Sequence, residues 1–399
     1  MPLSDHLYEP LPAFRPSAEF SLGVEEELHL VAPTTLAPDL RTDALLPGEW
    51  PAGQAKGEIC DGVVEFVTPI SAHAGEAVTR LGAMRAEAVS RGAGLLGAGV
   101  HPDARFGDVR HRPGRRYQQI GDTMRGVMRQ TPHCGVHVHV GMPDPETLIR
   151  ACNGMRKWMP LLQALGANSP FWYGQDSGLA SARSVICNAF PRSGIPRRFA
   201  DYADFAAVVE DLQHVGDCPD YSLIWWDVRP HPRLGTLEIR ALDAQASLDD
   251  LAALVALAHG LAVHEATTVD SGPHLATEAL RAMSFGATRD GLDANVPVDG
   301  KLVPVRHAAI LALTLVGHEA VTLGCWDELM HIHRLVERGN GAARQRRAAA
   351  RSGMPGVLAM LARETTAKAE PTGGEPSRRR FRTPPRSRRA DGISAAAVG

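Results

Sequence analysis

The chain has 399 residues, 44% of them hydrophobic, and a net charge of −3, enough for two ordinary domains or for one large domain with an appendage. No apolar run approaches the roughly eighteen residues of a membrane-spanning helix, and the N-terminal MPLSDHLYEP lacks a basic stretch leading into an apolar one. Neither a transmembrane segment nor a secretory signal is expected, which predicts a cytoplasmic protein without a membrane partner. The six cysteines are scattered, none as CxxC, which argues against a zinc ribbon or a disulfide framework and for reduced thiols.

Charge is unevenly spread. From Thr365 to Gly399 eight basic residues face three acidic ones, so this segment carries +5 and the rest of the chain −8. It is rich in Pro, Gly, Ser and Arg and has almost no apolar residues, so residues 365–399 are predicted to form a disordered Arg-rich tail. Only Phe381 interleaves with its arginines, which speaks against nucleic acid as a partner.

Residues 20–31 alternate, with Phe20, Leu22, Val24, Leu28 and Leu30 on one strand face and Gly23, Glu25, Glu27 and His29 on the other. A helical pattern over 72–91 leads to a strand beginning near Leu95. Cys134–Gly141 alternates again, with Val136, Val138 and Val140 opposite His137 and His139. Asp144-Pro145 reads as an N-cap with proline at the first helical position, and the helix behind it is predicted to kink at Pro160. Asp201 caps a further helix. Gly235–Leu242 is a strand with Thr236, Glu238 and Arg240 on its polar face, and Ser247 opens a long helix to about Ala266. His307–Leu361 is mainly helical. Strands mixed with long helices, without a regular βαβ rhythm, predict an α+β fold.

Gly92-Ala-Gly94-Leu-Leu-Gly97 matches GxGxxG, but a helical pattern precedes it and a strand follows, the reverse of a dinucleotide-binding turn. A P-loop is also absent, because Gly300-Lys301 is followed by Leu302. The carboxylates carry more information. Glu25 and Glu27 share a strand face, Glu65 lies in the β-prone run Val63–Val67, and Glu238 sits beside Arg240. Glu58 precedes Glu65 by seven residues, an odd step that turns it away in a regular strand unless a bulge at Asp61-Gly62 resets the face. Each glutamate alone reads as an ordinary solvent-facing residue. Yet glutamate is disfavoured in strands, and crowded carboxylates repel unless neutralised. Gathered together, the five would call for about two or three divalent cations, with oxygen ligands that suit Mg²⁺ or Mn²⁺. His137-Val-His139 is either a pair of hydrogen-bonded histidines or a pair of metal ligands. As the HxH pair of an amidohydrolase barrel it would need regular β/α alternation after it, which this chain lacks.

Taken together, these segments resemble the glutamate–cysteine ligase type 2 family of carboxylate–amine ligases. The resemblance rests on Gly23-Val-Glu-Glu-Glu27, Val64-Glu-Phe-Val-Thr-Pro69, Ala98-Gly-Val-His-Pro102, Gly135-Val-His-Val-His-Val140, Asn168-Ser-Pro-Phe-Trp172, Trp226-Asp-Val-Arg-Pro230 and Gly235-Thr-Leu-Glu-Ile-Arg240, in that order. It implies a glutamine-synthetase-like domain over 19–364, an antiparallel sheet funnel with helices outside, after an N-terminal extension over 1–18. It also implies metal ligands at Glu25, Glu27, Glu58, Glu65, His137 and Glu238, with Arg183 and Arg240 holding phosphate or a substrate carboxylate. The implied reaction uses ATP and Mg²⁺ or Mn²⁺ to join an amino-acid carboxylate to an amine through an acyl phosphate, with glutamate and cysteine as the family's pair and room for a homodimer. Cys187 and Asn188 stand where the family leads one to expect bulkier or hydroxyl residues, which bears on substrate identity. A metal-dependent hydrolase using the HxH pair and a non-catalytic nucleotide-binding member are the alternatives.

Overall fold

The computed structural model describes residues 9–368, apart from 109, 130, 217, 270–273 and 299. Seven strands form one sheet: β1 (Leu22–Val31), β2 (Gln54–Gly57), β3 (Val63–Val67), β4 (Gly94–Leu96), β5 (Gly135–Gly141), β6 (Val228–His231) and β7 (Thr236–Asp243). Their order is β6-β7-β5-β1-β3-β2, with β4 paired to the end of β1, and every pairing is antiparallel. The alternation read from the sequence decides the two faces. Leu22, Val24, Leu28, Phe66, Val136, Val138, Leu237 and Ile239 are all buried on one side.

Helices cover that side: α1 (Ala74–Ser90), α2 (Pro145–Met155), α3 (Met159–Gly166) and α6 (Leu248–Thr267) pack on it, while α4 (Ala182–Asn188) and α5 (Tyr202–His214) lie between α3 and α6 in the chain. The predicted caps are present. Asp144 accepts from Thr147 N at 2.8 Å, Asp201 from Asp204 N at 2.8 Å and Ser247 from Asp250 N at 3.4 Å. The break expected at Pro160 comes earlier. A 3₁₀ turn over Arg156–Trp158 separates α2 from α3, and Pro160 sits in the first turn of α3, where its missing N–H costs no bond.

The glycines of the GxGxxG match serve packing. A Cβ on Gly94 would lie 2.5 Å from Val31 O, and one on Gly97 would lie 2.2 Å from Gln245 O, so only glycine lets these backbones meet. Glu26 points to the apolar face and is fully buried. Arg85 of α1 neutralises it through Nε at 2.9 Å, and also donates to Gln245 O and Ala246 O at 2.8 Å and to Thr365 O at 3.1 Å. The last helix, α10 (Gly341–Thr366), is broken at Ser352–Gly353 and follows α7 (Thr277–Asp290), α8 (Val305–Leu315) and α9 (Trp326–Arg338). Thr365, placed by composition at the start of the tail, is buried in α10, and its Oγ1 accepts from Gly97 N at 2.9 Å. The expected tail is otherwise outside the described residues from 369 onward. Among the described residues no helix is long and apolar enough to cross a membrane.

Candidate active site

Register brings the polar residues together on the face of the sheet opposite the apolar one. Glu25 pairs with His137 across β1–β5, Glu27 with Glu65 across β1–β3, and Glu238 with His139 across β7–β5. Lys56 faces Glu65 from β2, and Arg229 faces Glu238 from β6. Glu58 joins them by a route the odd spacing did not suggest. It follows β2 rather than preceding Glu65 on one strand, so it lies two residues beyond Lys56 and shares its face. The Asp61-Gly62 step is the turn between the two strands, with Gly62 at φ +86°.

Among the described residues, two sets of three donor atoms lie within 4.8 Å of one another: Glu25, Glu65 and His137, and Glu25, His139 and Glu238. His137 Nδ1 lies 3.2 Å from Glu25 Oε2. His139 Nδ1 bonds Thr236 Oγ1 at 3.0 Å, while its Nε2 is buried without a hydrogen-bond partner, 3.7 Å from Glu25 Oε1 and 3.9 Å from Glu238 Oε1. An orphaned imidazole nitrogen facing two carboxylate oxygens suits a cation such as Mg²⁺ or Mn²⁺. His139 was not carried over as a ligand from the family resemblance, although the HxH spacing placed it on the right face.

The electrostatics agree with a site short of positive charge at one end. Burial, then the Glu58 charge, pushes Glu27 up to about 6, against the pull of Arg183. Burial, Glu58 and Glu25 likewise raise Glu65 well above the usual carboxylate range. Burial would also raise Glu25, but the His137 hydrogen bond and the nearby His139 imidazole outweigh it and hold that carboxyl down. His137 is pushed down to about 4 by burial and then by Arg240.

Protein cations supply more of the balance than the glutamates alone suggested. Lys56 Nζ lies 2.9 Å from Glu65 Oε2. Glu238, 1% exposed, is held by Arg240 at Oε1 and by Arg229 at Oε2, with Nε at 2.7 Å and Nη2 at 2.6 Å. Burial favours the neutral acid there, but the two guanidinium groups keep Glu238 well below its ordinary range. With Arg183 these make four basic side chains among five glutamates, so charge balance by itself demands fewer divalent ions than the two or three expected. Arg229 and Lys56 were not singled out in the sequence, because a cross-strand partner is invisible before the pairing is known.

Arg183 reaches the same face from α4. Ser181 caps that helix, and the guanidinium lies over Gly135, where a Cβ would come 2.1 Å from Nη2. Asp243 Oδ1 stands 3.9 Å from Arg183 Nη1, and Arg183 Nε is buried without a partner. Asp243 is there because of a register shift between Ile239 and Leu242. Five residues separate Glu238 from Asp243, an odd step, and the bulge returns Asp243 to the Glu238 face. It accepts from Asn168 N at 2.8 Å, Ser169 Oγ at 2.7 Å and Ser181 Oγ at 2.8 Å.

A pocket of about 360 Å³ opens over this face, lined among others by Glu27, Glu58, His137, Arg183, Arg240, Asp227, Gln163, Phe190 and Trp225. The site thus offers carboxylate and imidazole donors for cations beside two arginines for anions.

Comparison with known proteins follows the same lines. Residues 21–368 match the family described as glutamate–cysteine ligase family 2. A Rubrobacter xylanophilus protein named "Putative glutamate–cysteine ligase 2-1" is 39% identical over 344 residues, covering 84% of this chain and 91% of that one. A Gloeobacter violaceus protein named "Putative glutamate–cysteine ligase 2" is 34% identical over 350 residues, covering 84% and 93%. In fold, the chain is similar to the glutamate–cysteine ligase of Francisella tularensis solved in complex with AMP, with a TM-score of 0.66 at 13% identity over 88% of this chain and 89% of that one. It is also similar to a bifunctional glutathione synthetase of Pasteurella multocida, with a TM-score of 0.65 at 15% identity over 87% of this chain and 52% of that one. The fold is therefore the glutamine-synthetase-like one, and the chain belongs to glutamate–cysteine ligase family 2, a family of ATP-dependent ligases.

Proposed function

We propose that the chain joins a carboxylate to an amine at the expense of ATP, with L-glutamate and L-cysteine as the first substrates to test. Amide formation from a free carboxylate is uphill in water, so the acid must be activated, here by transfer of the γ-phosphoryl group to give an acyl phosphate. The observation that supports this reading is that His137, a member of one of two donor sets sharing Glu25, lines the same pocket as Arg183 and Arg240. Transfer between anions needs that combination, because negative charge must be neutralised on both the ATP phosphates and the accepting carboxylate.

Glu25, Glu65, His137, His139 and Glu238 are the residues we assign to holding divalent metal, with Glu27 and Glu58 completing the acidic wall. Bound Mg²⁺ or Mn²⁺ supplies charge neutralisation of the phosphates and polarisation of the phosphoryl oxygens. Arg240 and Arg183 supply planar forks of donors for phosphoryl or carboxylate oxygens. Glu238 and Arg229 fix the Arg240 side chain, and Asp243 with Gly135 fixes that of Arg183. The same reading places the reaction in the cytoplasm, where ATP and free amino acids are available.

ADP release measured against a panel of amino-acid pairs in the presence of Mg²⁺ tests the proposal. Release that needs both an acid and an amine supports it. Hydrolysis of amides or esters without ATP would instead favour a metal-dependent hydrolase built on the two histidines.

A further inference from the structure

Asp227 precedes β6 and lies opposite Arg240, whose backbone N donates to Asp227 O at 2.8 Å. The next pair along the ladder is Val228 with Ile239. Asp227 and Arg240 therefore share a face, and both line the pocket. Opposite charges facing each other across a strand pair ordinarily bond. Here Arg240 turns instead to Glu238, whose other oxygen takes Arg229. Among the described residues Asp227 forms no ion pair. Its carboxylate accepts a hydrogen bond from Gln163 Nε2, at 3.2 Å to Oδ2. Ser284 Oγ donates to Gln163 Oε1 at 2.5 Å, which sets the amide so that its nitrogen faces Asp227. A carboxylate is thus held in place by a neutral donor, on the wall of the pocket, with lone pairs to spare.

The surroundings say what would fill it. Phe190 and Trp225 line the same pocket, with ring centroids 6.0 Å apart, and Trp225 lies two residues before Asp227 in the chain. Aromatic faces beside a carboxylate attract an organic cation and repel phosphate or a second carboxylate. Anions have their own place at Arg183 and Arg240. Burial pushes Asp227 up to about 6 against the pull of Arg183, Arg240 and Arg281, none of which forms a direct ion pair with it among the described residues.

We infer that this end of the pocket seats the ammonium group of the amine substrate, with the Asp227 carboxylate as its partner and the Phe190 and Trp225 rings as its wall. The inference rests on the ligase reading and adds to it the residue that selects an amine arriving as its ammonium, which gives up a proton to that carboxylate before the free amine attacks the acyl phosphate and phosphate leaves. An uncharged nucleophile has no need of that seat.

Hydroxylamine, which is uncharged at neutral pH and traps acyl phosphates as hydroxamates, supplies the contrast. Two rates are compared in wild type, Asp227→Asn and Asp227→Glu: ADP release with L-glutamate and L-cysteine, and hydroxamate formation from L-glutamate with hydroxylamine and ATP. Asp227→Asn is expected to lower the cysteine rate at least tenfold more than the hydroxylamine rate, and Asp227→Glu to recover part of the difference. Equal losses for both nucleophiles would overturn the inference and make Asp227 a counter-charge for the arginines or a fold element. Unchanged rates for both would overturn it too. Wild-type protein that gives neither hydroxamate nor ADP would overturn the glutamate–cysteine ligase reading, and the seat with it, whereas failures confined to the variants leave the ligase standing.

Discussion

Glu238 and Arg240, two residues apart on β7, form an ion pair at the wall of the pocket, with Glu238 almost fully buried. Their pairing is therefore unlike a surface salt bridge worth about 0–1 kcal/mol. Glu238→Gln keeps the shape but leaves Arg229 and Arg240 without their shared counter-charge, a loss of roughly 3–5 kcal/mol when one partner of a buried pair is removed. Thermal unfolding should show that drop, and activity should fall steeply, with partial recovery at high Mg²⁺ or Mn²⁺ if Glu238 is also a metal ligand. Arg240→Lys keeps the charge but loses the fork. It should lose mainly kcat, and added metal should not restore it. Wild-type kinetics in both variants would remove β7 from the site.

His139 offers a cleaner test of metal binding, because its Nε2 has no hydrogen-bond partner to lose. His139→Gln should weaken Mn²⁺ binding, read by electron paramagnetic resonance titration, by about tenfold or more, on the scale of perturbed metal sites. Unchanged affinity would show that the imidazole faces the carboxylates without sharing an ion.

Gly135→Ala places a methyl group 2.1 Å from the present Arg183 Nη2. The long side chain can move where the backbone cannot. The variant should fold, with its melting temperature near wild type, and lose about tenfold in kcat/KM, the equivalent of ~1.4 kcal/mol of transition-state stabilisation. Full activity would mean that the position of Arg183 does not matter.

The end of the folded unit is testable by truncation. Ending the chain after Lys368 should leave activity and melting temperature unchanged. Ending it after Arg363 removes Thr365, whose Oγ1 accepts from Gly97 N and whose carbonyl accepts from Arg85. Stranding those buried donors costs about 1–3 kcal/mol each. Equal stability of the two truncations would show that water replaces Thr365 without loss.

Asp250, fully buried in the first turn of α6, meets Arg338 at 2.6 Å, Arg344 at 2.9 Å and His331 at 3.6 Å. Burial favours its neutral form, but the nearby His331 imidazole and the two arginines hold the carboxyl below its ordinary value. A depressed folded-state value means the stabilisation is present above the unfolded-state value, near 3.8, and fades as pH falls through the lower folded value. Asp250→Asn should therefore destabilise at pH 7 by roughly 3–5 kcal/mol, and the gap to wild type in denaturant titrations should narrow below about pH 4. A gap independent of pH would show that shape, not charge, is what Asp250 contributes.

Much of the site was legible because strand side chains alternate with a period of two. That rule alone puts Glu25 with Glu27, His137 with His139 and Glu238 with Arg240, and it separates them from the valines and leucines that form the core. Helix caps at Asp144, Asp201 and Ser247 were likewise local, since a side chain satisfying a backbone N–H three residues on needs no distant partner. The tertiary structure decided which strands are neighbours and in what register. Only that pairing places Arg229 on Glu238 and Lys56 on Glu65, moves Glu58 to the acid face across a turn, and leaves Asp227 without the arginine opposite it. The bulge after Ile239 belongs to the same class, because one extra residue reverses the face of Asp243 and nothing in the local sequence marks it. Periodicity is a property of one strand, while pairing depends on contacts between different strands, some nine residues apart like Lys56 and Glu65 and some more than a hundred, such as Glu25 and His137.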